Sequence, residues 1–560
     1  NTFFNFNELL MKREETAICM KVSRLIISLL RSPNHLVCFF LLCMSFQLSN
    51  SLLRRSYCTS RSVRRYFSIS PTDNISNTRM ADQSPPIVVI IAGPTAAGKS
   101  DVAKNICAQQ KGMVVSADSV QAYRSVQIGA NKPSIEERRE TPHILIDVAD
   151  HLDSYNAAEW REDAIACIQT LLGRHQEQQK QEDIATTPAA NSPRRAEILE
   201  SIQQACIEKG YCNGGEEGLQ QKILPVVCGG TMMYLQWLVH GRPDAMRPTL
   251  SAVEVSYKTI RKFQDDKNDY EGAVKHVSSF GKIFADRSQK LSTGDWYRLR
   301  RTLEIALTVK EKQTANEEDG RSESGVDKMV EQLYTGQRQG SLASLGYDVR
   351  CFFLCPDDRM SHTSVVDKRC EQMIIRGLLK ETTELTLSGH LPEMAERAIG
   401  YRQSLDYLYG KNQDHETSTT TATEEDAFEF FLSEFKTSTR RYAKKQMAWF
   451  RKDTDFMFVP VSLNNTEKSD RVDAAANAIG RLCQLSREDY EKELFGADST
   501  SGKTKRENEA QGKTMKFYKP ERHILKLGTE EYASALAEGI ECRQSVLIND
   551  KKRKIDQTVD

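Results

Sequence analysis

Eight consecutive residues have the types and spacing of a phosphate-binding loop: Gly93, Pro94, Thr95, Ala96, Ala97, Gly98, Lys99 and Ser100. They fit the pattern G-x-x-x-x-G-K-[ST], in which backbone N–H groups turn toward phosphate oxygens, the lysine adds charge and the hydroxyl can ligate Mg²⁺. An apolar run at Ile87–Ala92 precedes this phosphate loop, and a helical pattern at 99–109 follows it. We therefore predict that the loop binds a nucleoside triphosphate or a different diphosphate at a helix N-terminus.

A carboxylate follows the second predicted strand. Asp118 comes directly after the apolar run 113–117, and ligands of parallel α/β sheets bind outside the carboxyl ends of the strands. We therefore expect this side chain to face the phosphate loop across the crevice. It can act there as a general base, but a helix N-cap explains an aspartate at this position equally well. Residue chemistry alone leaves both interpretations open.

Alternating strands and helices are expected to position these groups. Apolar runs rich in β-forming residues recur along the chain with helical patterns between them, at Ile87–Ala92, 113–117, 144–147, 223–228, 349–355 and 455–461. This alternation predicts an α/β fold with a parallel sheet of the P-loop NTPase type, flanked by helices. Residues 241–345 show helical periodicity without a convincing strand, so we predict an inserted α-helical domain there.

The predicted organisation has five parts: a targeting or disordered leader (1–84), the first part of the core (85–240), the inserted helical domain (241–345), the rest of the core with a basic helix (346–462), and a partly disordered C-terminal extension (463–560). Polar stretches at about 173–196, 314–345 and 411–426 are predicted to be mobile insertions, because their composition cannot bury much apolar surface.

The composition excludes several classes of protein. Lysine plus arginine and aspartate plus glutamate number 77 each, so any surface for nucleic acid must be local. No run of about 18 or more apolar residues is present, which excludes a membrane-spanning protein. The 14 cysteines include no C-x-x-C pair, which argues against a zinc ribbon, an iron–sulfur site or a disulfide scaffold. We expect buried thiols in a reducing compartment.

The leader has the composition of a targeting segment. Residues 21–72 contain eight lysines and arginines, no acidic residue and many serines, with a short apolar stretch at 36–46. This pattern predicts import into the mitochondrion, with the plastid as the alternative destination. Initiation at Met80, one of three candidate starts with Met11 and Met20, would leave a cytosolic form. A disordered basic tail without a targeting role is the simpler alternative.

Two predicted helices carry cations suited to RNA phosphates. In the helix at 295–310, an apolar side at 3.6-residue spacing comprises Trp296, Leu299, Leu303 and Leu307. Arg298 and Arg301 fall on the opposite side, where two guanidinium groups would lie together. An ordinary solvated face over core packing is the alternative interpretation.

The second helix, at about 434–452, has seven cations and no acidic residue after Glu434: Lys436, Arg440, Arg441, Lys444, Lys445, Arg451 and Lys452. Cations without compensating acids along the helix can neutralise several phosphates and make binding sensitive to salt. Four aromatic residues are predicted to form the buried stripe of the helix: Phe435, Tyr442, Trp449 and Phe450. A solvated charged face is again the alternative.

Seven ordered blocks resemble the tRNA dimethylallyltransferases: G-P-T-A-A-G-K-S (93–100), A-D-S (117–119) with Y-R (123–124), I-G (128–129) with K-P (132–133), P-H (142–143), C-G-G-T-M-M-Y (228–234), D-W-Y-R-L-R-R-T-L-E (295–304) and A-I-G-Y-R-Q (398–403). The resemblance covers about 87–452 without the insertions. The C-terminal extension lacks the C-x₂-C…H-x₃₋₅-H zinc finger of many eukaryotic members, so the chain resembles the bacterial-like branch.

The resemblance implies transfer of a dimethylallyl group from its diphosphate to N6 of adenosine 37 in the anticodon loop of tRNA. It assigns the phosphate loop and Arg369 to the donor and Mg²⁺ to Ser100, and it makes Asp118, Thr95 and Lys99 catalytic. The family's usual arginine four residues before Arg369 is Val365 here. The implied tRNA contacts are Asp118, Ser119, Val120, Gln121, Thr231, Tyr297, Arg298, Leu299, Arg300, Arg301, Gly400, Tyr401, Arg402, Gln403, Arg440, Lys444 and Lys445. A monomer without membrane association is expected.

Three other functions compete with this hypothesis. An adenylate isopentenyltransferase, which makes cytokinins, shares the phosphate loop, but such relatives generally lack the G-Y-R-Q block at 400–403. A small-molecule kinase would bind ATP in the loop and leave the basic helices unexplained. An RNA-binding protein that has lost catalysis would not need Lys99, Ser100 and Asp118.

Overall fold

The computed structural model describes residues 84–173, 193–211, 222–243, 248–265, 268–318, 338–410, 423–463, 467–496 and 498–559. These residues all belong to one compact unit, Gln83–Asp560. The predicted targeting segment lies outside the described residues except for residue 84, and so do large parts of the three predicted insertions.

A parallel sheet forms the centre of the fold. The strands are β1 (Ile87–Ala92), β2 (Gly112–Ser116), β3 (His143–Ile144), β4 (Leu224–Cys228), β5 (Arg242–Pro243), β6 (Arg338–Gln339), β7 (Asp348–Pro356) and β8 (Phe456–Val461). Six of them pair in the order β3-β2-β4-β1-β7-β8, and each pairing in this sheet is parallel. The predicted fold class, a parallel sheet flanked by helices, is confirmed.

Helices cover both faces of the sheet. They are α1 (Lys99–Gln110), α2 (Ile135–Glu140), α3 (Ala157–Leu171), α4 (Pro193–Glu208), α5 (Met232–His240), α6 (Leu250–Asp265), α7 (Tyr270–Ser278), α8 (Lys282–Ser288), α9 (Trp296–Glu318), α10 (Arg359–Ile375), α11 (Leu378–Ser388), α12 (Glu393–Glu396), α13 (Tyr401–Leu408), α14 (Glu424–Lys452), α15 (Lys468–Gln484), α16 (Arg487–Phe495), α17 (Thr500–Gln511) and α18 (Glu530–Val559).

Strand β1 shows why the apolar runs are continuous. Val88 and Ile90 contribute to the core shared with α3, α5, α10 and α14, whereas Val89 and Ile91 contribute to the core shared with α1, α15 and α16. Successive side chains of a strand point to opposite faces. Because helices cover both faces, every position of a central parallel strand is buried and apolar.

A helical excursion leaves the sheet and returns to it through a short antiparallel ribbon. Strands β5 and β6 pair at Arg242 with Gln339, and the described residues between them form α6 to α9. These helices have their own apolar core, which includes the fully buried Leu299 and Leu303. This core is separate from the two cores that pack against the sheet, and its side chains come from α6 to α9.

The chain after residue 463 differs from the partly disordered extension that we expected. Along 467–496 and 498–559 it forms α15 to α18, and α17 packs beside the edge strand β8, where Oγ of Ser501 accepts a hydrogen bond from Phe458 N at 2.9 Å. Its polar residues are used as partners for buried groups of the core, which local apolar periodicity does not reveal.

The described part of the chain contains no helix that is both long and apolar enough to cross a membrane. The nine cysteines within it are buried: Cys107, Cys167, Cys206, Cys228, Cys351, Cys355, Cys370, Cys483 and Cys542. For these nine residues, the prediction of buried thiols is confirmed.

Candidate active site

The phosphate loop joins the end of β1 to the start of α1. Gly98 caps the helix with a φ of +83°, and Ala96 has a φ of +64°. A positive φ is rare for residues with a side chain, so the two positions mark a tightly wound turn. Nζ of Lys99 donates to the carbonyl oxygen of Pro94 at 2.9 Å, across the loop. Ser100 is exposed in the first turn of α1.

Lys99 of the loop and Arg369 on α10 are two cations that form no ion pair with an acidic side chain of the described residues. Burial lowers the pKa of Lys99 to about 8; Arg369 acts in the same direction, whereas Cys228 and Asp118 oppose the change. Burial also lowers the pKa of Arg369, which interacts electrostatically with Asp118. Among the described residues, no group forms a hydrogen bond or an ion pair with the Arg369 guanidinium. The site is therefore suited to a ligand that brings several negative charges.

Three neighbouring strands bring the predicted site residues to one edge of the sheet. The phosphate loop follows β1, Asp118 follows β2, and the glycine pair, Gly229 and Gly230, follows β4. The strand ends are hydrogen-bonded from Gly229 N to Ile91 O at 3.1 Å and from Ala117 N to Cys228 O at 2.8 Å. A Cβ atom at Gly229 would lie 2.2 Å from the carbonyl oxygen of Ala117, so only glycine permits this approach.

Asp118 serves a turn with one carboxylate oxygen and leaves the other free. Its Oδ1 accepts from the backbone N–H of Val120 at 2.9 Å, within a turn rather than at the start of a helix. Within the described parts of the chain, no protein group bonds Oδ2. The helix N-cap interpretation is therefore wrong, because no helix begins at Asp118; the general-base interpretation stays a prediction, for which Oδ2 is available.

The residues after Asp118 hold the turn in place. Oγ1 of Thr231, at the start of α5, accepts from the backbone N–H of Ser119 at 3.1 Å. The Gln121 side chain accepts from Oγ of Ser116 at 3.0 Å and donates to the Ala130 carbonyl at 3.2 Å. Both ends of the Gln121 amide are thus engaged within the protein, and its predicted contact with tRNA stays a prediction.

Gln446 on α14 connects the phosphate loop to the glycine pair. Its Oε1 accepts from the backbone N–H of Thr95 at 2.9 Å, and its Nε2 donates to the carbonyl oxygen of Gly230 at 3.0 Å. The Tyr442 hydroxyl donates to the same carbonyl at 3.3 Å. A Cβ atom at Gly230 would lie 3.8 Å from Nζ of Lys99. Gln446 was not among the predicted site residues, because its burial is visible only in the folded chain.

A second residue holds the phosphate loop from the other side. His362 on α10 is buried, and its Nε2 lies 2.9 Å from the carbonyl oxygen of Thr95. Burial lowers the pKa of His362 to about 4, so the ring is neutral at physiological pH and Nε2 carries the proton that it donates. The backbone of Thr95 is therefore fixed at both its N–H and its C=O. No sequence pattern pointed to His362.

Helix α9 presents arginines at its surface, as expected, but not all of its predicted contacts. The side chains of Arg298 and Arg301 are 68% and 41% exposed, so both can reach a ligand. Leu299 is fully buried in the helical core, so the prediction that it contacts tRNA is wrong. The apolar side has to pack inward, and Leu299 belongs to it.

Arg300 lies in a groove beside α9. It is 3.4 Å from Glu304 and lies over the rings of Tyr257 and Tyr297. The groove has a volume of about 320 Å³ and is lined by Ser154, Val253, Glu254, Tyr257, Lys258, Arg300 and Glu393. Tyr297 itself is half exposed. Aromatic rings next to guanidinium groups are suited to stacking with nucleobases.

The basic helix α14 uses part of its charge inside the protein. Lys436 is paired with buried Glu371, and Arg440 lies 2.8 Å from Asp367. The expectation that Arg440 binds tRNA is therefore corrected, because its guanidinium already neutralises a buried carboxylate. Four exposed cations of α14 have no partner among the described residues: Arg441, Lys444, Lys445 and Lys452.

The aromatic stripe of α14 is only partly buried. Phe435 and Phe450 lie in the core, as predicted, whereas the side of the helix near the site carries Tyr442. Trp449 is 40% exposed, so the prediction that it is buried is wrong. It is seven residues, or about two turns, beyond Tyr442, which places both on the helix face directed toward the glycine pair.

The G-Y-R-Q block forms the start of α13 and acts mainly on its surroundings. Tyr401 is fully buried and donates to Glu381, which accepts in turn from the backbone N–H of Ile128 at 2.5 Å. The expectation that Tyr401 contacts tRNA is thus corrected to a role in fixing a loop. Oε1 of Gln403 accepts from Gly400 N at 2.9 Å. Arg402 points outward and is exposed.

A histidine links the end of α5 to the end of α14. Nε2 of His240 lies 2.8 Å from Asp453, and Nδ1 lies 3.3 Å from Asp455. The hydrogen bond with Asp453 raises the pKa of His240, although burial acts against it. This contact joins α5, which follows the glycine pair, to α14, which carries Gln446.

The chain is similar in sequence to known proteins. The sequence profile of the IPP transferase family matches residues 121–178 and 212–453, more than half of the chain. A curated relative, tRNA dimethylallyltransferase 9 of Arabidopsis thaliana, is 29% identical over 385 residues, which cover 65% of this chain and 69% of that protein. The tRNA dimethylallyltransferase of Protochlamydia amoebophila is 27% identical over 384 residues, or 68% of this chain and 86% of that one.

One solved structure that is similar to this chain is the full-length tRNA isopentenylpyrophosphate transferase of Bacillus halodurans. It aligns with 77% of this chain and 100% of its own, at 20% identity and a TM-score of 0.39.

Proposed function

The chain belongs to the IPP transferase family, and from this premise we propose that it is a tRNA dimethylallyltransferase. It transfers the dimethylallyl group of dimethylallyl diphosphate to N6 of adenosine 37 in the tRNA anticodon loop and releases diphosphate. The observation that carries the proposal is the convergence of Lys99, Arg369 and Asp118 at one edge of the sheet. The two curated relatives are named as tRNA dimethylallyltransferases.

The phosphate loop binds the diphosphate of the donor. Backbone N–H groups at the start of α1 and the ammonium of Lys99 face the ligand, and Arg369 adds a guanidinium that no described protein group engages. These groups stabilise the charge that develops on diphosphate as it leaves. Gln446 and His362 hold Thr95, so the loop keeps its shape before the ligand arrives.

Mg²⁺ fits the chemistry of this loop. The exposed hydroxyl of Ser100, which no described protein group engages, offers a hard oxygen ligand, and diphosphate oxygens and water would supply the others. A bound ion would neutralise charge on the departing diphosphate. Lys99 and Arg369 stabilise the same charge from the protein side.

Asp118 accepts the proton of the acceptor amine. The N6 amine of adenine is a weak nucleophile, because its lone pair is delocalised into the ring. N6 attacks C1 of the dimethylallyl group, the C1–O bond breaks, and its electron pair leaves with diphosphate. The free Oδ2 of Asp118 takes the proton that N6 loses, which assists the step as the new C–N bond forms.

The anticodon loop binds along α14 and α9. The exposed cations Arg441, Lys444 and Lys445 follow one side of α14 next to the site, and Arg298 and Arg301 extend the positive surface on α9. The target base has to leave the stack to reach the half-buried carboxylate of Asp118, and loop recognition relies on phosphate contacts and stacking.

Label transfer tests the proposal against its competitors. Purified protein is incubated with tRNA that lacks the modification, with AMP as a second acceptor, and with either radiolabelled dimethylallyl diphosphate or γ-labelled ATP. We expect prenyl label in tRNA and none in AMP. Label in AMP would indicate cytokinin synthesis, γ-phosphate transfer a kinase, and no transfer at all an RNA-binding protein without catalysis.

The proposed compartment is the mitochondrion, because residues 21–72 are basic and lack acidic residues. Sequencing of the N-terminus of the mature protein from fractionated cells tests this assignment. Processing between residue 21 and the start of the core in mitochondria supports it, whereas recovery of the mature protein from plastids or the cytosol contradicts it.

A further inference from the structure

The end of α17 and the first part of the link to α18 lie along helix α10. We call this segment, residues 511–525, the C-terminal strap. At the start of α10, Oε1 of Gln511 accepts from the backbone N–H of Arg359 at 2.9 Å. Farther along, the ring of His523 lies 3.3 Å from Oγ of Ser364. The family profile ends at residue 453, so the family match assigns the strap no role.

The strap supplies hydrogen bonds to a carboxylate that has no access to water. Glu371 on α10 is fully buried, and its oxygens accept from the backbone N–H groups of His523, Ile524 and Leu525 at 3.0, 2.5 and 3.0 Å. Lys436 of α14 completes the set. Burial alone would raise the pKa of Glu371, but the bonds from Lys436 and from the strap backbone lower it. The buried charge therefore depends on the strap.

A second buried carboxylate of α10 also has a partner in the strap. Asp367 is fully buried, and both of its oxygens lie 2.8 Å from Nη1 of Arg440. The Tyr518 hydroxyl donates to Oδ2 of Asp367 at 2.8 Å, and the Arg440 guanidinium lies 5.8 Å from the centre of the Tyr518 ring. Tyr518 thus adds a hydrogen bond from the strap to the ion pair between Asp367 and Arg440.

The two carboxylates lie on the back of the helix that serves the active site. In an α-helix, residues two positions apart are separated by about 200°, so Asp367 and Glu371 both face away from Arg369. The same helix carries His362, which bonds the Thr95 carbonyl in the phosphate loop. A shift of the back of α10 would therefore move Arg369 and loosen the His362 contact with the loop.

We propose that the C-terminal strap is a positioning element of the donor site: by holding Asp367 and Glu371, it sets α10 so that Arg369 reaches the diphosphate. The inference rests on the proposed function, since it assigns Arg369 to the donor. Tyr518 and the strap backbone act through α10, so they are positioning groups rather than catalytic residues.

A matched pair of tyrosines tests the proposal. Tyr518→Phe removes the hydroxyl that bonds Asp367, and Tyr532→Phe removes a hydroxyl of α18 that bonds Glu429 on α14 at 2.6 Å. Both variants lose a short hydrogen bond between a phenol and a carboxylate, but only the first touches α10. Titration calorimetry with inorganic pyrophosphate and MgCl₂ is carried out on the full chain. We expect Tyr518→Phe to weaken pyrophosphate binding about fivefold, which is less than the direct loss of a bond to a charged group because the effect passes through α10, and Tyr532→Phe to leave it unchanged.

A double-mutant cycle separates positioning from general destabilisation. Arg369→Gln removes the group that the strap is proposed to aim, so adding Tyr518→Phe to it should weaken pyrophosphate binding much less than it does in the unmodified chain. In steady-state assays the strap variant should raise KM for dimethylallyl diphosphate and lower kcat, since Arg369 also stabilises the departing diphosphate, while KM for tRNA stays unchanged. A loss that affects all three parameters would contradict a specific effect on the donor site.

The outcomes distinguish this inference from the proposed function. If the unmodified chain binds pyrophosphate and the two tyrosine variants bind it equally well, the strap proposal is wrong while the proposed function stands. An additive effect in the Arg369→Gln background would also overturn it. If the unmodified chain does not bind pyrophosphate, the proposed function fails, and the strap proposal fails with it.

Discussion

The backbone N–H of Thr95 donates to Oε1 of Gln446, a residue 351 positions later in the chain. This bond ties the phosphate loop to the basic helix α14. Because the other end of the Gln446 amide holds Gly230, one side chain fixes the distance between the donor loop and the glycine pair that follows β4.

Gln446→Leu is expected to raise KM for dimethylallyl diphosphate about tenfold, because the buried N–H of Thr95 and the carbonyl of Gly230 are both deprived of the Gln446 amide. Steady-state kinetics with the donor as the varied substrate measure the effect. Asn508→Leu is the matched control, since Asn508 is a buried amide that contacts Met447 and Arg451 away from the loop. A donor KM that rises equally in both variants would contradict the role of Gln446.

Asp118→Asn is expected to reduce kcat roughly hundredfold or more while tRNA affinity changes little, since the amide cannot accept the proton from N6. The amide oxygen still accepts from Val120 N, so the turn is retained. Single-turnover prenylation and filter binding of tRNA measure the two quantities. Asp118→Ala, which also removes the turn bond, serves as the comparison. A substantial residual rate in Asp118→Asn would show that the proton leaves by another route.

Much of this site follows from the sequence because its elements are local. The phosphate loop and Asp118 each follow an apolar run, and the parallel order of β2, β4 and β1 then places them together. The six predicted apolar runs correspond to the six strands of the parallel sheet. The family predicted from the ordered motifs is confirmed by the profile match.

What the sequence did not reveal depends on partners far apart in the chain. Arg440 appeared free because no acid is near it in α14, yet Asp367, 73 positions away, neutralises it. Leu299 and Tyr401 lie inside motifs of the family, but a motif does not say which of its residues face inward. In the C-terminal extension, polar groups between α17 and α18 bond to buried carboxylates, whereas the helices α15, α16 and α18 add apolar residues to the two cores.

Replacing Arg441, Lys444 and Lys445 with glutamine is expected to weaken tRNA binding and to lower the slope of log affinity against log salt by about two, since each phosphate that a cation neutralises adds about 0.7 to that slope. Binding isotherms at several salt concentrations measure the slope. The control is the same charge change at Lys468, Arg481 and Lys492, which are exposed on α15 and α16 at the opposite face of the sheet. Equal slopes for the two triple variants would contradict a phosphate role for α14.

Binding of pyrophosphate is expected to weaken as pH rises above about 8, the pKa of Lys99 in the free site. Below that pH the lysine is charged before the ligand binds, whereas above it binding must include uptake of a proton. Calorimetry in buffers of different ionisation enthalpy measures this uptake. Lys99→Arg keeps its charge throughout, so the ratio of the two affinities removes the titration of pyrophosphate itself. A ratio independent of pH would contradict the lowered pKa.

His240 is expected to stabilise the fold more at acidic than at alkaline pH. Its folded-state pKa lies above the ordinary value of 6.5, so the stabilisation is fully present below pH 6.5 and is lost as pH rises through the raised pKa. The difference in urea midpoint between the unmodified chain and His240→Gln, measured at about pH 6 and about pH 9, tests this. His143 is a control whose pKa shift has the opposite sign, because burial lowers its pKa to about 4. A His240 difference that grows with pH would contradict the ion pair with Asp453.

The most direct test is a crystal structure of the protein with a non-reactive thiolo analogue of dimethylallyl diphosphate and an anticodon stem-loop. We expect the diphosphate in the loop Gly93 to Ser100, in contact with Lys99 and Arg369, and N6 of the extruded adenosine within hydrogen-bond distance of Oδ2 of Asp118. A diphosphate bound elsewhere, or an adenosine amine directed away from Asp118, would contradict the account.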